Sequence, residues 1–163
     1  MGRETRIRPT GAIAMEWVIG SVLSAWVLLL VGHGIQCRRL RRRFLSQRLL
    51  LSDEALCDRV SAVDPRDRLL WVAVRRAIAE QCGIPAETVQ TDDTLDTLSR
   101  LTFDGWDFLD VKFRLERQLG IKIRREQLFP LVAGVPNAQT AALFRDFGEA
   151  LVGRLRHLMA TQK

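Results

Sequence analysis

From Trp17 to Ile35 the chain has nineteen consecutive residues without an acidic or basic side chain when His33 is neutral. At about 1.5 Å per residue, a helix of that length spans roughly 28 Å, close to the hydrocarbon thickness of a bilayer. Trp17 stands where an interfacial anchor belongs, and Trp26 is compatible with a membrane helix. A cleaved signal peptide is the alternative. Against it, the run is long, no convincing Ala-x-Ala follows, and a dense basic block occupies the place of cleavage. Gly34-Ile35-Gln36-Cys37 also lacks the small residue before cysteine that lipoprotein processing requires. A retained anchor is the better reading.

The charge is unevenly divided. Residues 1–50 carry nine Arg against two Glu, a net +7, whereas residues 51–163 carry sixteen Lys and Arg against seventeen Asp and Glu, a net −1. The basic excess therefore belongs to the anchor region, and nucleic-acid binding by the folded part has little support. Arg38, Arg39, Arg41, Arg42, Arg43 and Arg48 follow the apolar run, while Arg3, Arg6 and Arg8 before it are offset by Glu4 and Glu16. The heavier basic flank stays cytoplasmic, so the C-terminal part is expected in the cytoplasm, in a bacterial inner membrane. The surface arginines Arg38, Arg39, Arg41, Arg42 and Arg43 serve either as a topology signal alone or also as ligands for anionic head groups.

Cys37, Cys57 and Cys82 are an odd number with no C-x-x-C pair, so neither a disulfide framework nor a zinc knuckle is indicated. Cys82 shares an apolar face with Trp71, Val74 and Ile78 and reads as a core residue. Cys37, beside the membrane, would be open to palmitoylation in a eukaryote. His33 and His157 lie far apart in the sequence, no phosphate-binding glycine loop is present, and Asp92 and Asp93 read as turn or cap residues. No enzyme activity and no metal are expected.

Residues 38–51 are expected to prolong the apolar helix as a basic stalk, followed by a short helix capped by Ser52. Asp64-Pro65 starts a longer helix with Leu70, Trp71, Val74, Ala77, Ile78 and Cys82 at helical spacing, closed by Gly83. Residues 84–103 read as a long loop with one turn of helix. The next helix is expected to begin at Asp104, with Asp107 completing a capping box, and to stop at Gly120. It carries two apolar rows, Trp106, Leu109 and Phe113, and Phe108, Val111, Leu115 and Leu119, which predicts packing on two sides. A short element from Arg125 to Phe129 ends at Pro130. Asn137 or Thr140 caps a last helix with the stripe Phe144, Phe147, Leu151, Leu155 and Leu158.

Residues 67–152 resemble the acyl carrier proteins. The likeness rests on Ile78-Ala79-Glu80-Gln81-Cys82-Gly83-Ile84, the loop Thr91-Asp92-Asp93-Thr94-Leu95, the helix from Asp104 to Gly120, and Ile121-Lys122-Ile123. It implies an all-α fold: a small acyl-carrier-like four-helix bundle preceded by one transmembrane helix and a basic juxtamembrane stalk. The expected divisions are a tail (1–16), the span (17–35), the stalk with its short helix (36–63) and the helical domain (64–163). In that family an Asp-Ser-Leu triplet opens the second helix, and phosphopantetheine esterifies its serine. Here the triplet is Asp104-Gly105-Trp106, and Gly105 has no hydroxyl. No cofactor is therefore expected. Ser99 and Thr102 are nearby hydroxyls displaced from the attachment point.

The family's partners read an acidic second helix, and here Lys112, Arg114, Arg117, Lys122, Arg124 and Arg125 break that pattern. Asp104, Trp106, Asp107, Asp110, Arg114 and Arg117 are the candidate partner-binding residues. The implied function is a membrane-anchored binding or scaffold module that carries no phosphopantetheine. The alternative is a working acyl or peptidyl carrier of a lipid or secondary-metabolite pathway, modified at a non-standard residue.

Overall fold

A computed structural model describes residues 10–102, 107–124, 126–127 and 142–161, with side chains from residue 17 onward. Every regular element among them is helical. In chain order these are α1 (Thr10–Ser46), α2 (Asp53–Arg59), α3 (Pro65–Cys82), a 3₁₀ turn (Ala86–Thr88), α4 (Leu95–Ser99), α5 (Phe108–Leu119) and α6 (Phe144–Thr161). The chain divides into two units, Met1–Gln36 and Cys37–Lys163.

Among the described residues the first unit is the leading part of α1. Within Trp17–Ser46 the most apolar window has a mean hydropathy of 2.0 and no buried residue, so this helix is long and apolar enough to cross a membrane.

The second unit begins earlier than the sequence suggests. Residues 36–63 read as a stalk separate from a domain starting at residue 64, yet Cys37 onward belongs to one unit with the rest. The reason is apolar burial: Cys37, Phe44, Leu51, Leu56 and Cys57 are all in the core, with Leu40 and Leu45 packed against it. Arg41 also turns inward, its Nε donating to the Leu101 carbonyl at 2.8 Å. Burial of Cys37, whose Sγ donates to the Thr102 carbonyl at 3.6 Å, removes it as an accessible palmitoylation site.

Local chemistry sets most helix ends. The Ser52 hydroxyl caps α2 by accepting the Ala55 N–H at 3.2 Å. Asp64 caps α3 through the Arg66 N–H at 2.8 Å, with Pro65 at the first helical position, where its missing N–H costs nothing. At the other end Gly83 adopts φ 65°, ψ 41°, and the Ile84 N–H returns to the Ala79 carbonyl at 3.0 Å. A side chain at Gly83 would be strained by that positive φ, and its Cβ, 2.6 Å from Arg41 Nη1, would push the end of the Arg41 side chain aside.

Helix α3 is the centre of the unit and packs against α2, α5, α6 and the 3₁₀ turn. Its expected apolar face is buried from Leu70 to Cys82, as is the α6 stripe Phe144, Phe147, Leu151, Leu155 and Leu158. Trp71 meets Phe144 edge to face, with centroids 6.2 Å apart. Between α3 and α5 the chain is tied down by backbone bonds to the start of α6: Phe144 N–H to Asp93 O at 2.7 Å and Leu95 N–H to Ala142 O at 3.0 Å. Thr94 caps α4 by accepting the Thr97 N–H at 3.2 Å. The element expected from Arg125 to Phe129 and the caps Asn137 and Thr140 lie outside the described residues.

Two charged groups inside this unit have structural duties. Asp93 is buried, accepts the Gln90 N–H at 2.8 Å and pairs with Arg48, which also lies over the Phe44 ring. Burial pushes its carboxyl above the ordinary carboxylate range, against the Gln90 N–H and the Arg48 charge. Arg75 is fully buried and donates to the carbonyls of Leu51 at 2.6 Å and Ser52 at 3.3 Å, with Asp53 Oδ1 at 3.4 Å. Desolvation lowers its pKa, opposed by the charges of Asp53 and Glu87.

Candidate functional site

The start of α5 decides what this face can do. Asp107 has extended backbone angles (φ −110°, ψ 113°), and its Oδ1 accepts the Leu109 N–H at 2.8 Å, so it is the N-cap. The helix thus begins three residues later than expected, and Asp107 is the cap itself rather than the far member of a capping box opened by Asp104. The physical reason is local: Asp107 offers a carboxylate within reach of a free helix-end N–H. Gln81 Nε2 also holds the Asp107 carbonyl at 2.9 Å, fixing the start of α5 against the end of α3. Asp104, Gly105 and Trp106 lie outside the described residues.

The triplet at the observed helix start is Asp107-Phe108-Leu109, and Phe108 packs against the core. No Ser, Thr, Tyr or Cys occurs from Phe103 to Leu119. The two displaced hydroxyls are occupied within the chain. Thr102 is buried and donates to the Ser99 carbonyl at 2.7 Å, and Ser99 donates to the Asp96 carbonyl at 2.8 Å. Cys82, the nearest thiol on α3, is buried, donates to the Leu98 carbonyl at 3.3 Å, and is pushed up to about 12 by burial. A thiol in that state is a poor nucleophile near neutral pH.

The charged candidates of α5 are brought together with a residue that the sequence did not mark. Glu80 Oε2 accepts from Arg114 at 3.1 Å and from Arg117, and Glu80 Oε1 accepts from Gln118 at 3.2 Å. Arg114 in turn forks onto Asp110 at 2.8 and 2.9 Å. Partial burial works against the charge on Arg114, but the hydrogen bonds and charges of Asp110 and Glu80 outweigh it, and its pKa is raised. These ion pairs staple α3 to α5. Asp107 and Arg114 are therefore structural first, and a substitution there disturbs the helix pair before it disturbs any partner. The available signal was the i,i+4 spacing of Asp110 and Arg114; nothing in the sequence tied Glu80 to them across 34 residues.

The packing of α5 also differs from the two-sided expectation. Val111 and Leu115 are buried, and Phe108 and Leu119 are packed against the core. Leu109 and Phe113, from the second apolar row, are 49% and 60% exposed. With Arg117, four residues further on, they form one stripe of the α5 surface. Hydrophobic spacing alone says that a row favours burial, not that the fold supplies something to bury it.

A groove of about 460 Å³ lies near the end of α5, lined by Leu69, Leu70, Leu119, Met159, Arg66 and Arg156 among others. Arg156 is committed to a two-pronged pair with Asp67. Among the described residues no three His, Cys, Asp or Glu side chains converge as metal ligands. No family model, curated protein or solved structure matches the chain.

Proposed function

We propose that this chain is a membrane-anchored, acyl-carrier-like four-helix domain that carries no phosphopantetheine and serves as a binding or scaffold module. One observation carries the reading: no residue from Phe103 to Leu119 offers a hydroxyl or thiol, and Phe108 occupies the first helical position. Transfer of a phosphopantetheine arm needs an oxygen nucleophile at that helix mouth. The buried, internally bonded Thr102 supports the same conclusion.

Co-expression with a broad-specificity phosphopantetheinyl transferase should leave the intact mass unchanged. A mass gain equal to the arm, mapped to any residue of the wild type, overturns the reading in favour of a working carrier. Gly105→Ser restores the hydroxyl where the resemblance assigns it, and loading of that variant alone would support the carrier-like scaffold.

The partner face under this reading is the exposed stripe of α5. Leu109 and Phe113 supply its apolar area, and the Arg117 guanidinium beside them stays 68% exposed while it pairs with Glu80. Leu109→Ala/Phe113→Ala, at two exposed side chains, should abolish capture of the partner that wild type enriches, with the melting temperature almost unmoved. Retained capture with an intact fold rejects this face.

The arginines that follow Ile35 support a cytoplasmic position for the domain. Protease added to intact cells should spare residues 51–163. Digestion from outside would reverse the orientation.

A further inference from the structure

The arginines from Arg38 to Arg43 look equivalent in the sequence, but α1 separates them. Cys37 and Phe44 are buried, Leu40 packs against the core, and Arg41 is held by the Leu101 carbonyl. Arg38, Arg39, Arg42 and Arg43 are all exposed. At about 100° per residue these four cover a sector of roughly 140° on the helix side away from the core. Among the described residues none of the four has a salt bridge, although Arg48, Arg68, Arg75, Arg76, Arg114 and Arg156 do. Arg38/Arg42 and Arg39/Arg43 are like-charge pairs at i,i+4, a spacing that destabilises a helix unless counter-charge is supplied from elsewhere.

We infer that this face docks on anionic phospholipid head groups, those of the bilayer that the apolar part of the same helix enters. The inference rests on the membrane-anchored reading and adds a lipid preference to it. Spacing along α1 favours this partner. Arg38 and Arg39 follow Ile35 by about 4.5 and 6 Å of helix, within a head-group layer about 5–7.5 Å deep, and Arg42 and Arg43 follow it by about 10.5 and 12 Å, within a Debye length of that layer's surface. A nucleic acid would need a longer basic track, and residues 51–163 provide none, with a net charge of −1.

The test uses the full chain reconstituted in phosphatidylcholine bilayers containing a trace of spin-labelled phosphatidylglycerol or spin-labelled phosphatidylcholine. The motionally restricted fraction of each label gives their relative association. Wild type should favour phosphatidylglycerol about fivefold or more, the factor one well-placed arginine contributes near an anionic surface. The preference should shrink as sodium chloride is raised. Arg38→Gln/Arg39→Gln/Arg42→Gln/Arg43→Gln should reduce it to about onefold, whereas the matching four-lysine variant should keep it. Arg59→Gln/Arg66→Gln/Arg124→Gln, exposed arginines elsewhere, should also keep it. A wild type with no preference, or a preference surviving the four-glutamine change, overturns the proposal. So does inorganic phosphate displacing the labelled lipid better than chloride at equal ionic strength, because that outcome marks a free-anion site. Resistance to alkaline extraction, measured on the same samples, reports the anchor alone, so loss of the anchor and loss of the lipid preference are distinguishable.

Discussion

Arg75→Ala is expected to lower the stability of the 37–163 unit by about 3 kcal/mol, near the lower end for breaking a buried charged contact. The guanidinium is fully buried and is the donor to two carbonyls, Leu51 O and Ser52 O, where the chain passes from α1 to α2. Removing it leaves those acceptors without that donor, at a cost of about 1–3 kcal/mol for a buried group. The loss stays below the largest values because Asp53 is partly exposed and keeps a second partner, Arg76, at 2.8 Å. Arg75→Lys should recover part of the loss, since an ammonium lacks the planar fork that spans both carbonyls. Thermal unfolding of the full chain in detergent is the measurement, and a fall of roughly 10 °C is expected for a unit of this size. An alanine variant that melts with wild type would show that desolvation of the guanidinium cancels its hydrogen bonds.

Gly148→Ala should also destabilise, although helix propensity alone predicts the opposite. Gly148 is buried inside α6, where exchange for alanine would ordinarily gain about 1 kcal/mol. A Cβ built there falls inside van der Waals contact of Cζ3 and Cη2 of Trp71, and 3.0 Å from Cε3. The indole is rigid and itself buried against Phe144, so it has little room to yield. Overpacking of a well-filled core costs about 1–3 kcal/mol, and here it should exceed the propensity gain. The decisive measurement is a double-mutant cycle with Trp71→Leu. Each change should destabilise alone, and the pair should lose less than the sum, because the smaller side chain makes room for the methyl. Strict additivity, or a stabilised Gly148→Ala, would reject the close contact between α3 and α6.

Elements whose chemistry is local are legible in the residues alone. Asp64-Pro65, Ser52, Gly83 and Gly120 act within three or four residues of themselves, so the ends of α2 and α3 and the stop of α5 could be read directly. The stripes of α3 and α6 were equally legible, because burial of one face follows from 3.6-residue spacing. The lack of a nucleophile near the start of α5 is likewise a property of residue types alone.

Whatever depends on a distant partner follows from packing instead. Arg75 reads as one more surface arginine until Leu51 and Ser52, 23 and 24 residues away, supply its acceptors. Arg41 differs from its neighbours only because Leu101 faces it. Glu80 changes Arg114 and Arg117 from candidate contacts into a clamp between two helices. Leu109 and Phe113 have the spacing of a buried row and remain exposed, because burial requires a second surface, and only packing determines which rows receive one.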